Sequence, residues 1–441
     1  MTHRPATTAE LLQRLSIAEL NPMQREAHRA IGTGRDVVLV APTGSGKTLA
    51  FLLPLAERLD AEGEGVQALV LVPARELALQ IEEVWKRLGT GLRATCCYGG
   101  HDVRIEARNL ARPPALLVGT PGRVLDHLES GRVDLGRVRT LVLDEFDKSL
   151  ELGFHEPMAA ILGALPALEQ RILTSATDLA ELPKFAGVRS PVRLVFAGGA
   201  AAEERLRVAQ VRAREADKLD TLFRLVCKLG KHSTLVFLNH RESVERASAA
   251  LAERGVVNAA FHGGLDQDVR ERTLAKFRNG SARVLVTTDL AARGLDIPAV
   301  QAVVHYHLPP TLEAYVHRNG RTARMTASGA AYLIVGPDER VPAFVVDELP
   351  LERLPARAVL PPPPDWATLW FGQGKKDKLN KVDLVGFLMQ KGGLAKEELG
   401  RIEVKDHHAF AAVRRDRVDA LLRRVRDERV KGRRVKLELA K

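Results

Sequence analysis

Cysteine is scarce: Cys96, Cys97 and Cys227 are the three in 441 residues, and two of them are adjacent. That excludes a disulfide framework and fits a reducing compartment. Long apolar runs are missing too. No stretch approaches the roughly 18 residues a membrane span needs, and the opening Met1-Thr2-His3-Arg4-Pro5 has no apolar signal core, so a cytoplasmic protein is expected. Residues 1–364 have almost no net charge, with 46 basic against 43 acidic side chains, or +3. The whole chain carries +11, however, and residues 365–441 hold 20 basic against 12 acidic groups, or +8. An acidic partner is therefore to be sought at the tail. Apolar residues at 45% and charged residues at 27% exclude a disordered chain, and the length suits two to four domains.

Short apolar runs, Val37-Val38-Leu39-Val40, Ala68 to Val72, Ala115 to Val118 and Leu141-Val142-Leu143, alternate with helical patterns. They read as buried parallel strands of an α/β sheet. The pattern restarts after Lys218 with Thr234 to Leu238, Val284 to Val286, Ala302 to Val304 and Ala331 to Val335. Two α/β domains are expected, at 1–196 and 207–356, joined by a Gly- and Ala-rich flexible linker at 197–206. Residues 357–364 end in four prolines, which should space a third domain, 365–441, from the second. Nothing resembles a dedicated dimerisation helix, so a monomer is expected.

Ala41-Pro42-Thr43-Gly44-Ser45-Gly46-Lys47-Thr48 lies between a strand and an apolar helix, the context a phosphate-binding loop requires. Gly44 and Gly46 let backbone N–H groups approach phosphate oxygens; Thr43 and Ser45 complete the loop. Lys47 neutralises β/γ charge and Thr48 offers a hydroxyl to Mg²⁺. At the end of a later strand stands Asp144-Glu145-Phe146-Asp147. Asp144 can hold Mg²⁺ through water, and Glu145 can accept a proton from the attacking water.

Further motifs follow in order: Pro22-Met23-Gln24, Pro73 to Ala78, Gly99-Gly100, Thr120-Pro121-Gly122-Arg123, Ser175-Ala176-Thr177, His262-Gly263 with Gln267 and Arg270, Thr287 to Asp296, and His317 to Arg324. Over about residues 20 to 325 the chain resembles the DEAD-box RNA helicases. The resemblance implies two tandem RecA-like parallel-sheet domains that close over ATP and single-stranded RNA, giving RNA-stimulated ATP hydrolysis and local unwinding of short duplexes. By the same resemblance Gln24 reads the adenine edge, Asp296 contacts the ribose, and Ser175 with Thr177 couples hydrolysis to strand separation. His317 orders the water near the γ-phosphate. Arg75, Gly100, Thr120, Arg123, Gln267, Arg270 and Thr287 are carried over as contacts to the RNA backbone. Arg321 and Arg324, three apart on an expected helix, would both reach the γ-phosphate and make hydrolysis conditional on closure. An ATP-gated RNA clamp with little unwinding is the alternative from another class; the glutamine motif and Ser-Ala-Thr argue against a DNA helicase.

Three departures stand out. Phe146 replaces the family's alanine and demands space among its neighbours. Asn319 and Ala323 replace the commoner Ile and Gly, and no aromatic residue among the first 23 is there to stack on the base.

The tail reads as strand, helix, strand, strand, helix and strand, a small α+β fold like an RRM. Its aromatic stacking signature is poor, and positive charge gathers instead at Lys375, Lys376 and Lys378, at Arg414, Arg415 and Arg417, and from Arg423 to Arg434. Gly374 to Lys378, Val382 to Leu388 and Gly392-Gly393-Leu394 resemble the C-terminal RNA-binding domain of the DEAD-box protein A subgroup. That resemblance implies targeting to a hairpin of 23S rRNA during large ribosomal subunit assembly.

Overall fold

The computed structural model describes the chain apart from residues 1–6, 43, 101–102, 179–180, 197–205, 290–296, 298, 323–327, 346–347 and 441. The first unit is a seven-stranded parallel sheet of β1 (Val37–Val40), β2 (Ala68–Leu71), β3 (Ala94–Cys97), β4 (Leu116–Gly119), β5 (Thr140–Leu143), β6 (Gln170–Ser175) and β7 (Val192–Val195), in the order β3-β4-β2-β5-β6-β1-β7. Alternate residues of one strand enter different cores. Val37 and Leu39 pack with Phe51 and Ile81 on one face, while Val38 and Val40 pack with Met158 and Ile161 on the other. Burial on both faces is why these strands are apolar throughout rather than alternating.

The second unit holds another parallel sheet, of β8 (Leu206–Arg212), β9 (Thr234–Phe237), β10 (Asn258–Phe261), β11 (Val284–Thr287), β12 (Ala302–His305) and β13 (Gly329–Val335), in the order β10-β11-β9-β12-β13-β8. Most of the expected linker lies outside the described residues, and its last member, Leu206, already opens a strand. Strand β6, which opens on Gln170-Arg171 and closes on Thr174-Ser175, is not among the sequence-predicted runs, and neither are β3, β7, β8 and β10. Their partly exposed positions dilute the apolar signal, as in Ala94-Thr95-Cys96-Cys97, where buried and half-buried residues alternate.

The tail shares the second unit. β14 (Trp366–Phe371), β15 (Leu399–Val404) and β16 (Ala409–Arg414) form an antiparallel sheet with β19 (Leu437–Leu439), in the order β15-β16-β14-β19. A short hairpin, β17 (Arg429–Val430) and β18 (Arg433–Arg434), precedes the last strand. Helices Lys381–Gly386 and Val418–Arg424 cover one face of the sheet, where Ala367, Leu369, Phe371, Ala411 and Val413 pack with Leu384 and Leu421.

The opposite face corrects the expectation that the prolines hold the tail apart. It is docked on the helix Gln267–Arg278 and the turn after it. Thr368 Oγ1 accepts from Asn279 Nδ2 at 3.1 Å and lies 2.6 Å from Ser281 Oγ. Arg278 Nη1 meets Glu403 Oε2 at 2.8 Å, and the Arg272 guanidinium stands 5.4 Å from the centre of the Trp370 ring. The prolines follow the second domain, with Arg283 Nη1 donating to Pro362 O at 2.9 Å. No helix among the described residues is long and apolar enough to cross a membrane.

Candidate nucleotide site and RNA-contact residues

In the first sheet, β1 pairs with β6 so that Val40 faces Ser175, and β5 pairs with β6 so that Leu143 faces Leu173. The phosphate loop, the acidic motif and Ser175-Ala176-Thr177 therefore leave the sheet at one edge, the carboxyl ends where α/β sheets bind ligands. Gly44 and Gly46 have φ of +80° and +92°, which side-chain-bearing residues rarely adopt. Gly46 precedes the helix Lys47–Arg58, whose N-terminus directs its N–H groups and dipole toward an anion. Thr48 sits half-buried in its first turn, and Lys47 is buried with its ammonium donating to Ala41 O and Pro42 O. Ser45 is tied in from outside, its carbonyl accepting from Asn21 Nδ2 at 3.0 Å. Thr43 lies outside the described residues.

Gln24 is positioned by a capping box at the start of the helix Pro22–Gly32. Its Oε1 accepts from Asn21 N–H at 3.0 Å, and its Nε2 donates to Gly46 O at 3.3 Å. The adenine-reading candidate is thus braced on the phosphate loop itself.

Asp144 is buried, and burial raises its carboxyl pKa against the opposing hydrogen bond from Thr174 and the charge of Lys47. The Thr174 hydroxyl donates to Asp144 Oδ1 and accepts the Glu145 N–H at 3.3 Å. Glu145 stands at φ +48°, left-handed for a non-glycine residue, at the turn into the helix Phe146–Glu151. One residue pair on, Thr177 Oγ1 donates to Asp147 Oδ2 at 3.0 Å, and Ser175 Oγ accepts from Thr177 N–H at 3.1 Å. The acidic motif and the coupling segment are one hydrogen-bonded unit.

Phe146 points away from this edge into the core with Met158 and Ile161, its ring 6.2 Å from that of Phe185. The space that the substitution demands is supplied there.

Arg75 stacks on Tyr98, 4.5 Å from the ring centre, and donates to Gly100 O at 3.2 Å. Thr120 stands at the N-cap position of the helix Pro121–Glu129, which carries Arg123, without a side-chain capping hydrogen bond. Sequence reasoning missed the residue beneath Arg123. Glu106 is buried, accepting from Tyr98 N–H at 3.0 Å, with His127 Nε2 at 2.7 Å and Arg123 Nε at 3.7 Å. Cys97 approaches the same carboxylate, but burial and Glu106 push its thiol up to about 12, so the cluster is a charge anchor for Arg123 rather than a thiolate site. The visible signal was a carboxylate on the apolar face of the helix Val103–Leu110.

In the second unit, Gln267 and Arg270 lie near the start of the helix Gln267–Arg278. Gln267 Nε2 donates to Glu271 Oε1 at 2.9 Å, and Arg270 donates to Gly263 O. Thr287 closes the neighbouring strand β11. It is fully buried, and its hydroxyl donates to Phe261 O at 2.8 Å and Thr288 O at 3.0 Å, bracing two strand ends. The expected helix through both arginines is corrected: the helix Leu312–Asn319 stops at Gly320, so Arg321 stands in the turn beyond it, buried at 2% exposure. His317 is buried within that helix. Arg324, Ala323 and Asp296 lie outside the described residues.

Arg318 was not singled out, yet it organises this region. Fully buried, it donates through Nε and Nη2 to both Asp289 oxygens at 2.6 and 3.0 Å, to Asn239 Oδ1 at 2.8 Å and to His307 O at 2.9 Å. A planar fork that joins three loops is a role lysine cannot take. Asn319 is likewise accounted for. Its Oδ1 lies 2.9 Å from Nε2 of His305, whose pKa burial and the Arg318 charge lower to about 3.

The family comparisons agree with this layout. The DEAD/DEAH box helicase profile matches residues 21–182, the helicase conserved C-terminal domain residues 217–326, and the DbpA RNA binding domain residues 368–439. The chain is 35% identical to the ATP-dependent RNA helicase DbpA of Escherichia coli over 98% of its own length and 96% of that protein. It is 38% identical to the ATP-dependent RNA helicase CshA of Limosilactobacillus reuteri over 74% of its length and 67% of that protein. Among solved structures, Saccharomyces cerevisiae Dbp5 bound to RNA and ADP BeF3 matches with a TM-score of 0.66 and 28% identity, over 76% of this chain and 88% of that one.

Two outcomes follow from the packing. Phe146→Ala should destabilise the first unit by about 3–5 kcal/mol, read as a lower urea midpoint, while RNA-stimulated ATPase below the unfolding range stays within a fewfold of the parent. His305 stays neutral when folded but takes up a proton when unfolded below about pH 6.5, so its contribution to stability falls as pH drops from there toward 3. Urea unfolding at pH 7 and pH 5 should show a loss of about 1.4 kcal/mol per pH unit below 6.5 from this site, and His305→Gln should flatten the slope accordingly.

Proposed function

Because the chain belongs to the DEAD-box ATP-dependent RNA helicases and ends in a DbpA RNA-binding domain, we propose that it locally unwinds short duplexes of 23S rRNA in a large-subunit precursor, working as a cytoplasmic monomer. The observation that carries the reading is the hydrogen-bonded join of Asp144 to Thr174 and of Asp147 to Thr177, beside the phosphate loop. It links the groups that handle ATP to the segment assigned to strand separation.

In this reading the phosphate loop holds the nucleotide. Gln24 reads the base edge, Asp296 the ribose, and Thr43, Gly44, Ser45 and Gly46 enclose the phosphates. Lys47 offsets their charge. Thr48 and, through water, Asp144 would hold Mg²⁺; both are hard oxygen donors, and a buried carboxylate with a raised pKa favours a cation beside it. When bound, that ion supplies charge neutralisation of the phosphates. Glu145 takes the proton of the attacking water, which His317 orders. Arg321 and Arg324 stabilise the charge developing on the γ-phosphate, a contribution worth roughly 10³ to 10⁵ in rate. Because they come from the second domain, hydrolysis waits on RNA bridging both. Backbone contacts by Arg75, Gly100, Thr120, Arg123, Gln267 and Arg270 carry no sequence preference, so target choice falls to the basic tail.

Glu145→Gln should cut ATP hydrolysis at least about a hundredfold while ATP-dependent RNA binding persists; retained turnover removes Glu145 as the base. For the target, ATPase of the full chain is compared with 23S rRNA, the same RNA lacking its target hairpin, and DNA. Preference for intact rRNA, reduced by Lys375→Glu with Lys376→Glu, supports the reading. Equal stimulation by both RNAs sinks it.

A further inference from the structure

The docked tail reaches one of the RNA-contact candidates. Gln267 and Glu271 are one helical turn apart, and the Gln267 amide donates to Glu271 Oε1 at 2.9 Å. The second carboxylate oxygen faces the tail, where His408 Nε2 lies 3.1 Å from Glu271 Oε2. His408 immediately precedes β16, and its ring stands edge-on to Phe410 with centroids 5.0 Å apart. Both side chains of this contact are largely covered, at 14% and 20% exposure.

We propose that His408 of the tail is a positioning residue for RNA binding by the core, acting through Glu271 to hold the Gln267 amide toward the RNA backbone. The inference rests on the reading of Gln267 as an RNA contact.

A glutamine at a helix start samples many rotamers, and fixing one on binding is an entropic cost. Glu271 removes part of that freedom before RNA arrives, provided the carboxylate is itself fixed and charged. Burial alone would raise its pKa, but hydrogen bonds from His408 and Gln267 and the charges of His408 and Lys405 outweigh this and hold it at about 2. A charged acceptor also makes the stronger hydrogen bond to the Gln267 amide. Arg270, three residues after Gln267, is anchored separately on Gly263 O, so the His408 path serves Gln267 and not Arg270.

The test is RNA-stimulated ATPase of the full chain, titrated with a short single-stranded oligouridylate. His408→Ala should raise the half-saturating RNA concentration about fivefold and leave the rate at saturating RNA within about twofold. His408→Gln, which restores a donor to Glu271, should recover most of the loss. Arg278→Ala breaks a separate ion pair of the docking face, that with Glu403, and should leave RNA half-saturation unchanged. In a Gln267→Ala background, His408→Ala should add nothing further. Parental RNA dependence in His408→Ala, an equal loss in Arg278→Ala, or effects of His408→Ala and Gln267→Ala that multiply would overturn the relay. Parental RNA dependence in Gln267→Ala would overturn the contact on which it rests, and that single variant tells the two failures apart.

Discussion

The parallel register of two sheets is the constraint on which the chemistry depends. Strands that pair in parallel start and stop together, so every loop that leaves a carboxyl end leaves at the same edge. In the first sheet this gathers Ala41, Asp144 and Ser175; in the second, where Phe237 faces both Thr287 and His305, it gathers Asn239, Thr288 and His307. Connections through helices are long enough to let each loop vary, while the ladders hold the exits within a strand spacing or two of each other.

Buried polar groups then tie these loops together. A polar side chain without a partner in such a place costs more than a made hydrogen bond returns, so the networks are close to all-or-none. Thr174 serves two residues of the acidic motif with one hydroxyl. Arg318 joins the loops carrying Asn239, Asp289 and His307. Departures from the family pattern sit where the surroundings accept them: Phe146 beside Phe185 in the apolar core, and Asn319 against a neutral His305.

Much of the site was legible because its residues are adjacent in sequence. Gly44-Ser45-Gly46-Lys47 needs its strand before and its helix after, and both could be read from apolar pattern. Glu106 and Arg318 were harder, since their partners are distant in sequence and a lone charged residue in a helix looks like surface. Thr287 was carried over as an RNA contact by motif position alone, which says nothing of the backbone carbonyls its hydroxyl serves. The docking of the tail was missed for a different reason. Trp366-Ala367-Thr368-Leu369-Trp370-Phe371 is apolar or nearly so at every position, a pattern that belongs to a strand covered on both sides. Helices of its own domain cover one side; what covers the other is a matter of tertiary fit, and four prolines suggested separation instead.

The covered sheet face also changes what a tail of this kind can do for the core. A module on a free linker raises local concentration over a sphere set by linker length. A module mounted through Glu403 and His408 onto the helix Gln267–Arg278, and through Thr368 onto the turn after it, would work as a ruler. RNA held by a surface so mounted would lie at a set distance and angle from the second domain, so the phosphates within reach would be chosen by geometry. The prolines then fix an attachment point, and changing their number would alter the mount more than the reach.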